Sequence, residues 1–224
     1  MPSPKNLHFA VENSGEVSAI FQRPSKPTHL LLLAHGAGAG MTHPFLESLA
    51  DELAAAKIAT FRYQFPYMEQ GRRAPDRPPT LTATVNAAVS AAHKTAPNLP
   101  LIAGGKSMGG RMTSTAASQH PLENVRGMVF FGFPLHPPNQ PGTKRADHLA
   151  RVTIPMLFLQ GTRDPLADLT LLRPVVNQLG SQAELHILES ADHSFHVLKS
   201  SGKTDPEILR ELAQTTATWA ARVA

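Results

Sequence analysis

The chain contains no cysteine. That excludes a disulfide framework, thiolate metal sites, iron–sulfur clusters and a cysteine nucleophile. Aromatic residues are sparse at 6%. The 21 Lys+Arg against 17 Asp+Glu leave a formal charge of only +4, spread without a basic block. A nucleic-acid binder would carry a dense basic stripe or arginines interleaved with aromatics, so no nucleic-acid partner is expected. Long apolar runs are missing too. The longest, Leu30–Ala34, falls far short of the roughly 20 residues a membrane-crossing helix needs. The first residues, Met1–Gly15, hold no apolar core of a secretory signal. The expectation is a soluble, cytoplasmic protein with no membrane association. The 15 glycines and 20 prolines are too few for a collagen-like or low-complexity chain, and 224 residues can bury a full core without staples.

What is present is an alternation of short apolar runs with helix-period stretches. Leu7–Glu12 and Val17–Gln22 read as a hairpin around Asn13-Ser14-Gly15, whose residues tolerate a tight turn. Further strand-like runs are His29–Ala34, Ile58–Arg62, Leu99–Ala103, Gly127–Gly132, Met156–Gln160 and Glu184–Leu188. Helical periodicity marks Pro44–Lys57, Thr80–Ala96, Gly109–Ser118, Asp168–Leu179 and Asp205–Val223. Apolar runs without polar alternation, separated by helices, predict an α/β domain spanning residues 1–224. Its sheet is mostly parallel and covered on both faces. Two proline-rich segments, Gln64–Pro79 and Pro134–Gly142, fit neither period. Both follow strands, which places them at the carboxyl edge of the sheet, where open α/β folds bind ligands.

Gly105-Lys106-Ser107-Met108-Gly109 is a G-x-S-x-G between a strand and a helix. That context suits a nucleophilic serine on a strained strand-to-helix turn, with glycines two residues to either side removing collisions. Such a serine needs a base, and the base needs an orienting carboxylate. Asp164 follows the strand closed by Gly161, and His193 lies in the loop after the next strand. Serine, acid and histidine thus succeed one another in the chain, each just beyond a strand end. Donors for a developing oxyanion are expected from the Met108 amide and from the small-residue run His35-Gly36-Ala37-Gly38-Ala39-Gly40. Ala37 is the nominee there, with Gly36 as the alternative. This run lacks the Lys-Ser/Thr ending of a phosphate-binding loop and does not satisfy G-x-G-x-x-G.

The set His35–Met41, Phe65-Pro66-Tyr67-Met68 and Gly104–Arg111 resembles the α/β-hydrolase superfamily. Within it, the chain is similar to small, lidless serine hydrolases related to dienelactone hydrolase. It also resembles a subgroup that includes testis-expressed and chromatin-complex proteins. The resemblance runs from Leu30 to the last helix. It implies a scaffold of about eight strands and a Ser107–His193–Asp164 triad. It favours His193 over His196, which sits three residues later. Dienelactone hydrolases proper use cysteine, which this chain lacks, so their substrate does not carry over.

Among the rivals, His186 reads as a packed strand residue, His35 as a structural residue bonding its own loop, and Asp168 as a helix cap. Asp192 stands beside His193, where only an awkward local turn would let it orient the ring. No HxxxH or HExxH spacing is present, so neither a metal nor any other cofactor is expected. Arg72, Arg73 and Arg111 are candidate substrate-binding residues, forming a basic rim for an anionic group. The connection between Gly132 and Pro155 is too short for a lipase-type lid. The expected activity is hydrolysis of short-chain carboxylic esters or thioesters by a monomer or homodimer. The alternative is a non-catalytic binding or scaffold protein on the same fold.

Overall fold

A computed structural model describes residues 3–223. Eight strands form one sheet in the order β1-β2-β4-β3-β5-β6-β7-β8. They are β1 (Lys5–Val11), β2 (Gly15–Gln22), β3 (His29–Ala34), β4 (Ile58–Tyr63), β5 (Leu101–Lys106), β6 (Val125–Phe131), β7 (Met156–Gly161) and β8 (Ala183–Leu188). The hairpin β1–β2 is antiparallel and joins β4 antiparallel, while every pairing from β4 to β8 is parallel. The hairpin turn uses positive φ at Asn13 (57°) and Gly15 (83°), which these two residue types tolerate.

The central strands explain the apolar runs. Leu30 and Leu32 point into one buried layer, Leu31 and Leu33 into another. Met128 and Phe130 separate from Val129 and Phe131 in the same way, as do Met156 and Phe158 from Leu157 and Leu159. Side chains alternate across a strand, so a strand covered on both faces must be apolar at every position. Each such leucine contributes about 1.5–3 kcal/mol on burial. The helices α1 (Pro44–Ala55) and α6 (Asp205–Val223) lie against each other on one side. On the other pack α3 (Pro78–Thr95), α4 (Met108–Gln119) and α5 (Leu169–Gln178). The short α2 (Pro66–Glu69) follows β4.

Most element ends shift by one to three residues from the sequence reading, and two of these shifts and one additional segment have a clear local reason. Helix α3 begins at Pro78, because two prolines at the first helical positions lose no hydrogen bond there. Strand β5 runs on through Gly104 and Gly105 to Lys106, because those glycines lie against neighbouring backbone and do not interrupt pairing. A 3-10 segment, Lys144–Arg151, sits in the β6–β7 connection; only Ala146 and Leu149 of its charged sequence are buried, which hides it from periodicity. That connection is where a lid would be inserted, and it holds no large one.

The topology positions the site. The chain runs outward from β3 to β4 and then crosses back to β5, so β3 and β5 are neighbours with connections leaving in opposite directions. A crevice opens at such a reversal beyond the carboxyl ends of the strands. The small-residue loop after β3 and the serine turn after β5 flank it.

Candidate active site

Ser107 joins β5 to α4 with φ 51° and ψ −119°, a conformation an L-residue adopts only where its surroundings impose it. Here the surroundings do so. The Ser107 amide donates to Phe131 O (3.1 Å), and its carbonyl accepts from the Arg111 amide (3.1 Å). A β-carbon at Gly105 would collide with Ala34 O, and one at Gly109 with His35 O, so the turn presses directly on the end of β3. The positive end of the twelve-residue α4 faces the serine.

His193 lies in the loop after β8. The Asp192 side chain accepts from the amides of Ser194 (2.8 Å) and His196 (3.0 Å), folding the loop around the histidine. Ser107 Oγ donates to His193 Nε2 at 2.9 Å, and His193 Nδ1 donates to Asp164 Oδ2 at 2.7 Å. The Asp164 side chain is 1% exposed against 22% for His193. Its other oxygen accepts from the Leu166 amide (2.8 Å), and Gln160 Nε2 donates to Oδ2. The three residues nominated from sequence therefore come together in hydrogen-bond contact.

The loop after β3 is braced from below. His35 is fully buried; its Nδ1 donates to Gly36 O (2.7 Å), and its Nε2 accepts from the Phe65 amide (3.1 Å). Burial pushes its imidazole down to about 4, so the ring is neutral at pH 7. Tyr67 Oη accepts from the Gly38 amide (3.0 Å), Gln64 Oε1 from the Met41 amide (2.8 Å), and Arg62 donates to Met41 O (3.1 Å). The Ala37 and Met108 amides have no protein acceptor among the described residues. Ala37, Phe45, Leu46, Ser107, Leu166 and His193 are among the residues lining a cleft of about 350 Å3. A larger one, about 450 Å3, lies between α3 and the α4–β6 connection and touches none of the three nominated residues.

The remaining nominees are placed elsewhere. Arg72 pairs with Asp76 (2.6 Å) and Gln70 (3.0 Å), and Asp76 in turn accepts from the Tyr67 amide (2.9 Å). Arg73 is exposed, and Arg111 is half-buried near Arg145 of the 3-10 segment. None of these arginines lines the cleft. His196 turns to Asp205 (2.9 Å), and Asp168 caps α5 through the Thr170 amide (2.8 Å). His186 is not simply packed, as its position in β8 suggests; it pairs with Glu211 on α6 at 2.8 Å. Two polar neighbours of the site escape the sequence reading: Gln160, next to last in an apolar strand, and Lys106, the variable residue ahead of the serine in its G-x-S-x-G. Among the described residues, no group of three or more His, Asp or Glu is arranged to hold a metal ion.

A family model described as an alpha/beta hydrolase domain matches residues 27–221. The chain belongs to the α/β-hydrolase family. Solved α/β-hydrolases share its fold from end to end. A dienelactone hydrolase from Anabaena variabilis is 22% identical, with a TM-score of 0.77 over 99% of this chain and 98% of its own. A lidless α/β serine hydrolase from Xanthomonas campestris is 17% identical, with a TM-score of 0.73 over 96% of each chain. The esterase Est1E from Butyrivibrio proteoclasticus is 13% identical, with a TM-score of 0.72 over 97% of this chain and 99% of its own. Among the described residues, no helix of this hydrolase fold is long and apolar enough to cross a membrane.

Proposed function

We propose that the protein is a serine hydrolase that cleaves small carboxylic esters or thioesters through an acyl-enzyme on Ser107. The observation that carries the reading is the continuous relay from Ser107 Oγ through both nitrogens of His193 to Asp164. Ser107 Oγ attacks the substrate carbonyl while His193 Nε2 takes its proton. Asp164 keeps the other ring nitrogen protonated and stabilises the imidazolium that forms. The Met108 and Ala37 amides, which have no competing acceptor among the described residues, stabilise the oxyanion. Collapse of this intermediate expels the alcohol or thiol, protonated by His193. Water, activated by the same imidazole, then releases the acid from Ser107.

A strained non-glycine turn beside an aligned imidazole fits a nucleophile; a binding surface has no use for that strain. The cleft volume and the short β6–β7 connection suit compact acyl groups. The esterase and dienelactone hydrolase among the structural neighbours agree with the same class of reaction. Side chains, backbone amides and water suffice for each step.

The test is labelling with a fluorophosphonate probe, with Ser107→Ala run beside the unmodified protein. Labelling that disappears on substitution, with turnover of p-nitrophenyl esters falling in acyl-chain order, is the expected result. A folded protein that neither labels nor hydrolyses would overturn the reading and leave a binding protein on a hydrolase fold.

A further inference from the structure

Lys106 immediately precedes the serine, yet its side chain is not given over to solvent. Its Nζ donates to the main-chain carbonyl of His193 at 2.5 Å, across 87 residues of sequence. The rings of Phe45 and Phe195 stack with centroids 5.6 Å apart and planes 12° from parallel, and Nζ lies 5.9 Å and 5.3 Å from their centres. Gly132, at φ 73°, leaves bare backbone after β6. The point where a β-carbon would sit there is 3.1 Å from Lys106 Nζ, 3.5 Å from His193 Nδ1 and 3.6 Å from Asp164 Oδ2. Ammonium, imidazole and carboxylate therefore converge on one glycine. Among the described residues, no carboxylate pairs directly with the ammonium; its hydrogen-bond partner is the histidine's own backbone.

We propose that Lys106 is a positioning residue of this site, its ammonium fastening the His193 main chain to the turn that carries Ser107. The inference rests on the reading of Ser107 and His193 as nucleophile and base. Those two side chains stand on separate elements, one ahead of α4 and one in the loop after β8. Around His193 the loop folds on local turns centred on Asp192, and its longer-range backbone anchors run from Ala191 and Ser190 to the end of β7 and from Val197 to Asp205 of α6, none of them to the turn that carries Ser107. Lys106 supplies that link, because its own backbone is rigidly held in β5. A donor carrying full charge makes a shorter and stronger bond than a neutral one, and the flanking aromatic faces favour the cation. Misplacement of reacting groups by about 1 Å can cost about 100-fold in rate, so a single tether has leverage.

The tether depends on charge. Burial pushes the Lys106 ammonium down to about 8, against the opposing influence of Asp164 after β7 and Asp192 in the loop after β8. His193 itself and His43, ahead of α1, are the other titratable groups lining the same cleft. Above that pH the amine is neutral, its bond to the carbonyl weakens, and the alignment loosens.

The experiment compares Lys106→Met, Lys106→Gln and Lys106→Arg on a neutral p-nitrophenyl ester across pH 6–10. The unmodified protein is expected to lose kcat on an alkaline limb centred near 8. Lys106→Arg, cationic throughout, recovers kcat at pH 7 to within about three-fold and lacks that limb. Lys106→Met lowers kcat at pH 7 by about ten- to 100-fold with KM nearly unchanged, also without the limb. Lys106→Gln keeps a donor without the charge and falls between them, which preserves the test if the methionine variant does not fold. Hydrogen exchange of the residue 192–196 amides gives a readout independent of turnover, faster in the methionine variant and protected in the arginine one. Loss of wild-type labelling and hydrolysis overturns the serine-hydrolase reading, while the exchange pattern still decides the tether. A methionine or glutamine variant with wild-type exchange and a wild-type pH profile overturns Lys106 as the tether.

Discussion

Gln160 and His193 donate to the same oxygen, Oδ2, of Asp164. Gln160 lies in β7, fully buried, so the carboxylate is held from the strand beneath it as well as from the ring above. This second donor limits the ways the acid can turn, and through it the ways the imidazole can.

Gln160→Leu removes that donor with little change in volume. The expected outcome is a fall in kcat of about ten-fold with KM unchanged, because the loss acts through the orientation of His193. Stability should change by less than about 1 kcal/mol. Gln160 Oε1 is buried without a partner, and its removal offsets part of the lost hydrogen bond. Steady-state kinetics and urea denaturation of the same preparation check both halves.

Gly109→Ala tests the pressure of the serine turn on β3. Its methyl group would overlap the main-chain atoms of both His35 and Ala34, backbone that cannot swing aside as a flexible side chain would. We expect a loss of about 1–3 kcal/mol in unfolding free energy, the usual range for overpacking a filled site. Fluorophosphonate labelling of whatever folds should fall further than stability does, because the shift is delivered at Ser107. A variant with wild-type midpoint and labelling would show the contact to be slack.

The pH dependence of stability follows from His35. Its folded-state value, about 4, is depressed from 6.5, so between those limits the unfolded chain binds a proton that the native one does not. Stability is therefore full above about 6.5 and declines as pH falls toward 4. At pH 4.5 this single group accounts for a loss on the order of 2–3 kcal/mol. His148, also pushed down to about 4 by burial and by the nearby Arg111 and Arg151, works in the same direction. Chemical denaturation at pH 7 and 4.5 should show a smaller loss in His35→Gln than in the unmodified protein. Equal losses would mean that His35 is reached by protons in the folded state.

The layered fold and the order of the three nominated residues were legible in the sequence for a common physical reason. A strand buried on both faces must be apolar throughout, and such strands mark where the loops at the carboxyl edge begin. Ser107, Asp164 and His193 could each be placed just past one of these ends. Gln160 could not, because a polar residue at the end of an apolar strand looks the same whether it bonds a carboxylate or faces solvent. Lys106 was visible as a neighbour of the serine, but its target is a backbone carbonyl 87 residues away, and backbone atoms leave no mark in sequence. The arginines show how a local partner escapes such a reading. Arg72 sits in a loop of the right kind, yet Asp76, four residues on, engages it within that loop.

Strand β3 belongs to both apolar layers and lies between β4 and β5, with every one of its residues buried. It has no free edge from which to peel and no face from which to be wetted. The loop that stands over it inherits that immobility at its root, so the floor of the cleft cannot melt alone. Amide protons of Leu31 and Leu33 should exchange only when the whole molecule opens, and a change that spoils this floor will register first as lost protein, before it registers as altered chemistry.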